Sequence, residues 1–142
     1  ACAIIALVHD ILIIVGIFAL LGHFTGVEVD ALFITALLTI LGFSVHDTIV
    51  VFDRIRENLK LQDRDDTLAT TANKSLNQTM TRSINTSVST LFTLVALLLL
   101  GSSSIFYFVL ALVLGVIVGT YSSIFTATPV LVMWNKWVQK RK

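Results

Sequence analysis

Asp10, Asp47 and Arg82 are the residues of this chain whose type and setting could do chemistry. Each lies in, or at the edge of, a long apolar run. An ionised side chain there costs from about 2.5 to well over 10 kcal/mol, depending on depth and on how far the surroundings adjust. Two carboxylates on neighbouring segments and a guanidinium on a third could form one titratable site. Burial favours the neutral form of a carboxylic acid and a nearby guanidinium favours the ionised form, so a conformational change can load or release a proton. His46, beside Asp47, adds a group that titrates near neutral pH. The competing reading is structural, with each polar group satisfied by a neighbouring helix and no ion moving.

The elements that must position these residues follow from composition. Hydrophobic residues make up 56% of the 142-residue chain and charged residues 13%, a profile of an all-α, polytopic membrane protein and not of a water-soluble domain. Four apolar segments can each cross a bilayer, which takes about 20 residues. They cover about 1–21, 31–58, 82–100 and 105–134, with a polar connection over about 63–81. Helices are expected because lipid offers no partner for an open strand edge. The sequence opens on Ala1 without an initiator Met or a charged n-region. It is therefore expected to start partway through a larger polypeptide, and its first run is not a signal peptide.

Lys and Arg set the orientation. All ten lie either in the central stretch (Arg54, Arg56, Lys60, Arg64, Lys74, Arg82) or in the tail (Lys136, Lys140, Arg141, Lys142). The connections 22–30 and 101–104 have none. The positive-inside rule therefore puts residues 53–81 and the C-terminus on the cytoplasmic side. Trp134 and Trp137 fit an interfacial anchor to membrane lipid at that end.

Spacing suggests which faces matter. Arg82, Asn85, Thr86, Ser89, Thr90 and Thr93 form a polar stripe, expected to face the bundle or a water-filled cleft. Thr35, Thr39, Gly42 and His46 share a face of the second span. Gly115 and Gly119, continued by Ser122, Ser123 and Thr126, make a small-residue face for close helix packing. Pro129 is expected to bend or end the fourth helix. His9 and Asp10 lie about 14 Å in from the start of the first. Asp53, Arg54, Arg56, Glu57 and Lys60 continue the second helix past the membrane with pairs at helical spacing. Residues 60–66 read as a solvated face, 63–67 as a turn and 68–80 as an amphipathic helix at the interface.

Other functions find little support. The charges are segregated and make no basic, aromatic-interleaved face for nucleic acid. The lone Cys2 excludes an internal disulfide, and no Cys/His cluster has metal-ligand spacing. An intramembrane aspartyl protease would need a GxGD motif and a zinc protease HExxH, and neither occurs.

The stretch GFSVHDTIVVFDRIREN (42–58) resembles the signature of the SecD/SecF family of bacterial protein export, in its SecF branch. ALVHD in the first span, TRSINTS entering the third and GVIVGTYSSIFTATP in the fourth agree in order and spacing. The resemblance implies the last four of six membrane helices, half of a bundle of the resistance–nodulation–division (RND) superfamily, without the periplasmic domain. It further implies a subunit of the bacterial cytoplasmic membrane that pairs with SecD. Together they use the proton motive force to help preproteins through SecYEG, with H+ as coupling ion and no other cofactor. In that family the Asp of an Asn-Asp-Thr motif and an Arg on the next helix serve proton passage, and they fall on Asp47 and Arg82. Asp10 matches the family's His-Asp pair. Asp53, Arg54, Arg56 and Glu57 match its charged cytoplasmic end, structural or facing a partner. His46 stands where Asn is usual, and Phe43 where Tyr is. The alternatives are a structural subunit, or a small-molecule exporter of the same superfamily.

Overall fold

The computed structural model describes residues 2–61 and 67–139. Its order is α1 (Cys2–Thr25), α2 (Ala31–Lys60), α3 (Leu68–Leu100), a 3-10 turn (Ser103–Ile105), α4 (Phe106–Phe125) and α5 (Ala127–Gln139). The expected turn over 63–66 and the tail residues Lys140, Arg141 and Lys142 lie outside the described residues.

Local chemistry sets the ends of the helices. Gly26, at φ +70°, takes the left-handed conformation that closes α1, and its N–H donates to the Gly22 carbonyl at 3.0 Å. Asp30 caps α2 by accepting from the Phe33 N–H at 3.0 Å, and Thr67 caps α3 through the Thr70 N–H at 3.3 Å. Pro129 accounts for the break between α4 and α5. Its ring would clash with the carbonyl of Phe125, four residues earlier, and α4 ends at Phe125. The fourth apolar segment is thus interrupted next to Pro129, as expected, while α4 and α5 together remain one candidate span over Ser103–Trp137.

α3 also departs from expectation. Residues 68–81 are not a separate helix at the interface but the first turns of α3, which runs unbroken to Leu100. Its small residues Thr71, Ala72, Ser75 and Thr79 are buried where α3 packs on the charged end of α2. There Asn58 donates to Ser75 Oγ at 2.8 Å and Arg54 Nε to Gln78 Oε1 at 2.8 Å. No Gly or Pro interrupts residues 68–100, so nothing forces a joint.

α2 is central and packs on α1, α3 and α4. Its buried residues divide into three tiers: Phe33, Ala36 and Ile40; then Ser44, Asp47 and Thr48; then Val51 and Ile55. The first tier joins Ile14, Phe18 and Ala111 in one apolar cluster, and the last joins Ala72 in another. Between the two lies a polar layer. The exterior is the reverse, with Leu12, Leu20, Leu38, Ile49, Val88, Phe92 and Leu99 exposed. Four helices are long and apolar enough to cross a membrane, so lipid is the solvent that this exterior suits.

Gly115 and Gly119 set the approach of α4 to α2. A Cβ on Gly115 would fall within the Ile40 side chain, and one on Gly119 would sit 3.3 Å from Ser44 Cβ. Ser123, one turn further on, faces the Thr48 hydroxyl at 3.1 Å and also donates to the Gly119 carbonyl at 2.9 Å.

Candidate functional site

Three side chains of α2 bind three different helices across the polar layer. Ser44 donates to Asp10 Oδ2 on α1 at 2.6 Å, Thr48 meets Ser123 on α4, and Asp47 Oδ1 accepts from Ser83 on α3 at 2.6 Å. Hydrogen bonds to a charged group contribute about 1.5–3 kcal/mol each. Ser87 and Thr120 add a second hydroxyl pair between α3 and α4.

The two buried aspartates sit in different circumstances. Asp10 is fully buried, and both its oxygens have partners: Ser44 on Oδ2 and His9 Nδ1 on Oδ1 at 3.2 Å. Asp47 is 9% exposed, and its Oδ2 is buried with no hydrogen-bond partner among the described residues. A buried polar atom left unpaired costs about 1–3 kcal/mol, and more if charged. The two carboxylates thus do not form one site with Arg82. Asp10 belongs to a closed α1–α2 lock, and Asp47 is the incomplete one.

Asp47 lines a cavity of about 50 Å³ with Phe43, His46, Val50, Arg82, Ser83 and Thr86. Asp47, Arg82 and His46 are therefore brought together. Among the described residues Arg82 makes no ion pair with Asp47; Arg54 pairs with Glu57, and His9 Nδ1 lies against Asp10 Oδ1. A larger cavity of about 320 Å³ lies towards the charged end of α2, lined by Val50, Asp53, Arg54, Glu57, Gln78, Thr79 and Arg82. Val50 and Arg82 are common to the two cavities and stand between Asp47 and the larger space.

The charged motif divides by partner. Arg54 is tied to α3 through Gln78 and to Glu57 Oε2 at 2.6 Å. Arg56 lines an outward hollow with Asp53, Glu57 and Lys60. The polar stripe of α3 meets its expected cleft only at Arg82 and Thr86, which line the Asp47 cavity. Arg82, Asn85, Thr86, Ser89 and Thr93 are exposed, while the buried line is Ser75, Thr79, Ser83 and Ser87. Residues 82 and 83 differ by only about 100° around a helix, so a stripe drawn from sequence can choose the adjacent face. Sequence reasoning passed over Ser83, Ser44 and Thr48. The signal available was the four-residue recurrence of small hydroxyls on α3.

These arrangements predict a contrast that assays can read. Asp10→Asn keeps the size of the side chain but lets an amide oxygen or nitrogen face Ser44. It is expected to lower thermal stability by about 1–3 kcal/mol and to leave activity per assembled complex unchanged. Thermal unfolding and an activity assay normalised to complex would check both halves.

Comparison with known proteins places this geometry. A family model described as "Protein export membrane protein SecD/SecF, C-terminal" matches residues 1–137. The chain is 59% identical over 134 residues to a protein translocase subunit SecF of Thermobaculum terrenum, covering 94% of this chain and 42% of that protein. It is 52% identical over 135 residues to the corresponding subunit of Synechocystis, covering 95% and 42%. A crystal structure of SecDF, a translocon-associated membrane protein from Thermus thermophilus, superposes with a TM-score of 0.88 at 45% identity. That match covers 95% of this chain and 18% of the solved one. The chain thus spans about two fifths of the length of these SecF relatives.

Proposed function

This chain belongs to the SecD/SecF family of protein export membrane proteins, and from that premise we propose that it forms the membrane half of a SecF subunit. With SecD, that subunit uses the proton motive force to assist preproteins through SecYEG across the bacterial cytoplasmic membrane. The observation that carries the reading is the state of Asp47. It is a buried carboxylate with one oxygen bonded and the other vacant, in a small cavity shared with Arg82. A group whose only role was to lock helices would be expected to have both oxygens occupied, as Asp10 has.

In this reading Asp47 takes up and releases the proton, and Arg82 sets which form is favoured. When the guanidinium lies close to the carboxylate the ionised form is stabilised. When it is withdrawn, the dry pocket favours the acid. The larger cavity beyond Val50 and Arg82 is the route between Asp47 and the cytoplasmic side, where the positive-inside rule places Arg54 and Arg56. A transporter works only if the site exchanges with one side at a time, and the shared position of Arg82 suits that gate. SecD is the partner in the membrane. His46, Arg82 and Thr86, which line the Asp47 cavity, are exposed, and a polar surface at membrane depth favours another protein over lipid.

Arg82→Gln in the full SecD–SecF complex tests this reading. Proton flux and preprotein export should both fall at least about tenfold, the scale of losing one charge-assisted contact, with the amount of assembled complex unchanged. A complex that assembles poorly but keeps its activity per molecule would instead support a purely structural role.

A further inference from the structure

Ser83 sits on the buried line of α3, and its hydroxyl donates to Asp47 Oδ1 at 2.6 Å. Its neighbours on that line spend their protons differently. Ser75 donates to the Thr71 carbonyl at 2.7 Å and Thr79 to the Ser75 carbonyl at 3.0 Å, the usual habit of hydroxyls within a helix. Ser87 meets the hydroxyl of Thr120. Among the described residues of α3, Ser83 is the hydroxyl that reaches a carboxylate. A hydroxyl has one hydrogen to give, and giving it to Oδ1 makes the two oxygens of Asp47 unequal. Oδ1 is held and Oδ2 is buried without a donor.

Resting on the proton-coupling role of Asp47, we propose that Ser83 is the positioning residue of this site. It holds Oδ1, reserves Oδ2 for the proton, and latches α3 to α2 while the carboxylate is charged. The balance of the step is simple. One proton adds to Oδ2, the charge of Asp47 is neutralised, and no other covalent bond changes. Oδ1 then becomes the carbonyl oxygen of a neutral acid. Charge-assisted hydrogen bonds are roughly twice as strong as neutral ones, so the Ser83 bond weakens as the proton arrives. The Thr79 carbonyl, one turn back, is then a competitive acceptor of the kind Ser75 and Thr79 already use. Rotation of one hydroxyl thus converts the arrival of a proton into a loosened contact between α2 and α3.

Few other charged groups bear on this step. Arg82 from α3 and His46 from α2 line the same cavity. From α1, His9 and Asp10 are engaged with each other and with Ser44. Residues 106–125 of α4 contain no Asp, Glu, Lys, Arg or His, and the tyrosines there, Tyr107 and Tyr121, are exposed.

Infrared difference spectroscopy between high and low pH, on the full SecD–SecF complex in lipid vesicles, tests the latch. The antisymmetric and symmetric carboxylate bands of ionised Asp47 are assigned by their loss in Asp47→Asn. With Asp47 ionised, the splitting of those bands reports the bond from Ser83 to Oδ1, because a donor on one oxygen makes the two C–O bonds unequal. The splitting should narrow in Ser83→Ala and be restored in Ser83→Thr. Proton flux should fall about tenfold in Ser83→Ala, the scale of one hydrogen bond to a charged group, and recover in Ser83→Thr. Ser87→Ala, equally buried one turn on, should move neither. If Ser83→Ala does not assemble, Ser83→Cys carries the same comparison, because it keeps the volume with a weak donor. An unchanged splitting and full flux in the Ser83 variants, where Asp47→Asn abolishes flux, would overturn the latch and leave the role of Asp47 standing. Full flux in Asp47→Asn would overturn both.

Discussion

A leucine at Gly115 is expected to break the contact on which the four-helix unit depends. α4 approaches α2 so closely there that even a methyl group would occupy the space of Ile40. Ile40 cannot simply move aside, because it is 3% exposed and belongs to the cluster of Ile14, Phe18, Phe33, Ala36 and Ala111. Overpacking a well-filled site costs about 1–3 kcal/mol and occasionally more, and a branched side chain at a helix crossing belongs at the upper end. The yield of monodisperse complex should collapse, and the melting temperature of what remains should drop. Gly119→Ala is the graded comparison. Its Cβ would stand 3.3 Å from Ser44 Cβ, so the helices need give only slightly, and a small loss is expected. Gly16→Ala meets nothing within 4 Å and should be neutral. That ordering separates steric approach from helix propensity, which would favour alanine at all three sites.

How much of this was legible beforehand differed from residue to residue. Asp47 and Arg82 stood out because a charge in an apolar run needs a reason wherever it occurs, and the structure lines one cavity with both. Gly115, Gly119 and Ser123 were legible because small residues four apart have few uses in a membrane helix other than close packing. The partner of each polar group was not legible. Ser44 and Asp47 are three residues apart, about 60° around α2, yet one binds α1 and the other α3. Sequence shows that both lie near one face, and only the placement of the neighbouring helices decides which partner each meets. The same holds for α3. Serine in a helix can satisfy itself on the preceding turn, so its spacing gives no sign of whether it will reach across, as Ser83 does. The continuity of α3 was hidden by composition, since residues 68–81 are polar enough to suggest an interfacial segment. Their small side chains instead pack on the extension of α2.

Asp47→Asn carries the largest functional effect. Asparagine keeps the shape of aspartate and an oxygen to accept the Ser83 hydroxyl, so α2 and α3 should remain joined. It cannot ionise, so under the proposed proton-coupling role a site that alternates between charged and neutral forms is lost with it. Asp10→Asn is the internal control, a buried carboxylate three residues of α2 away through Ser44, with both oxygens already occupied. A purely structural polar layer would make the two variants alike, each weakening assembly and neither stopping the work of an assembled complex.

The decisive measurement is proton uptake by sealed vesicles carrying the full SecD–SecF complex, normalised to assembled complex, in wild type, Asp47→Asn and Asp10→Asn. Uptake in Asp47→Asn should fall to the leak of vesicles without the complex, while Asp10→Asn should retain wild-type uptake per complex. Wild-type uptake in Asp47→Asn would contradict the account.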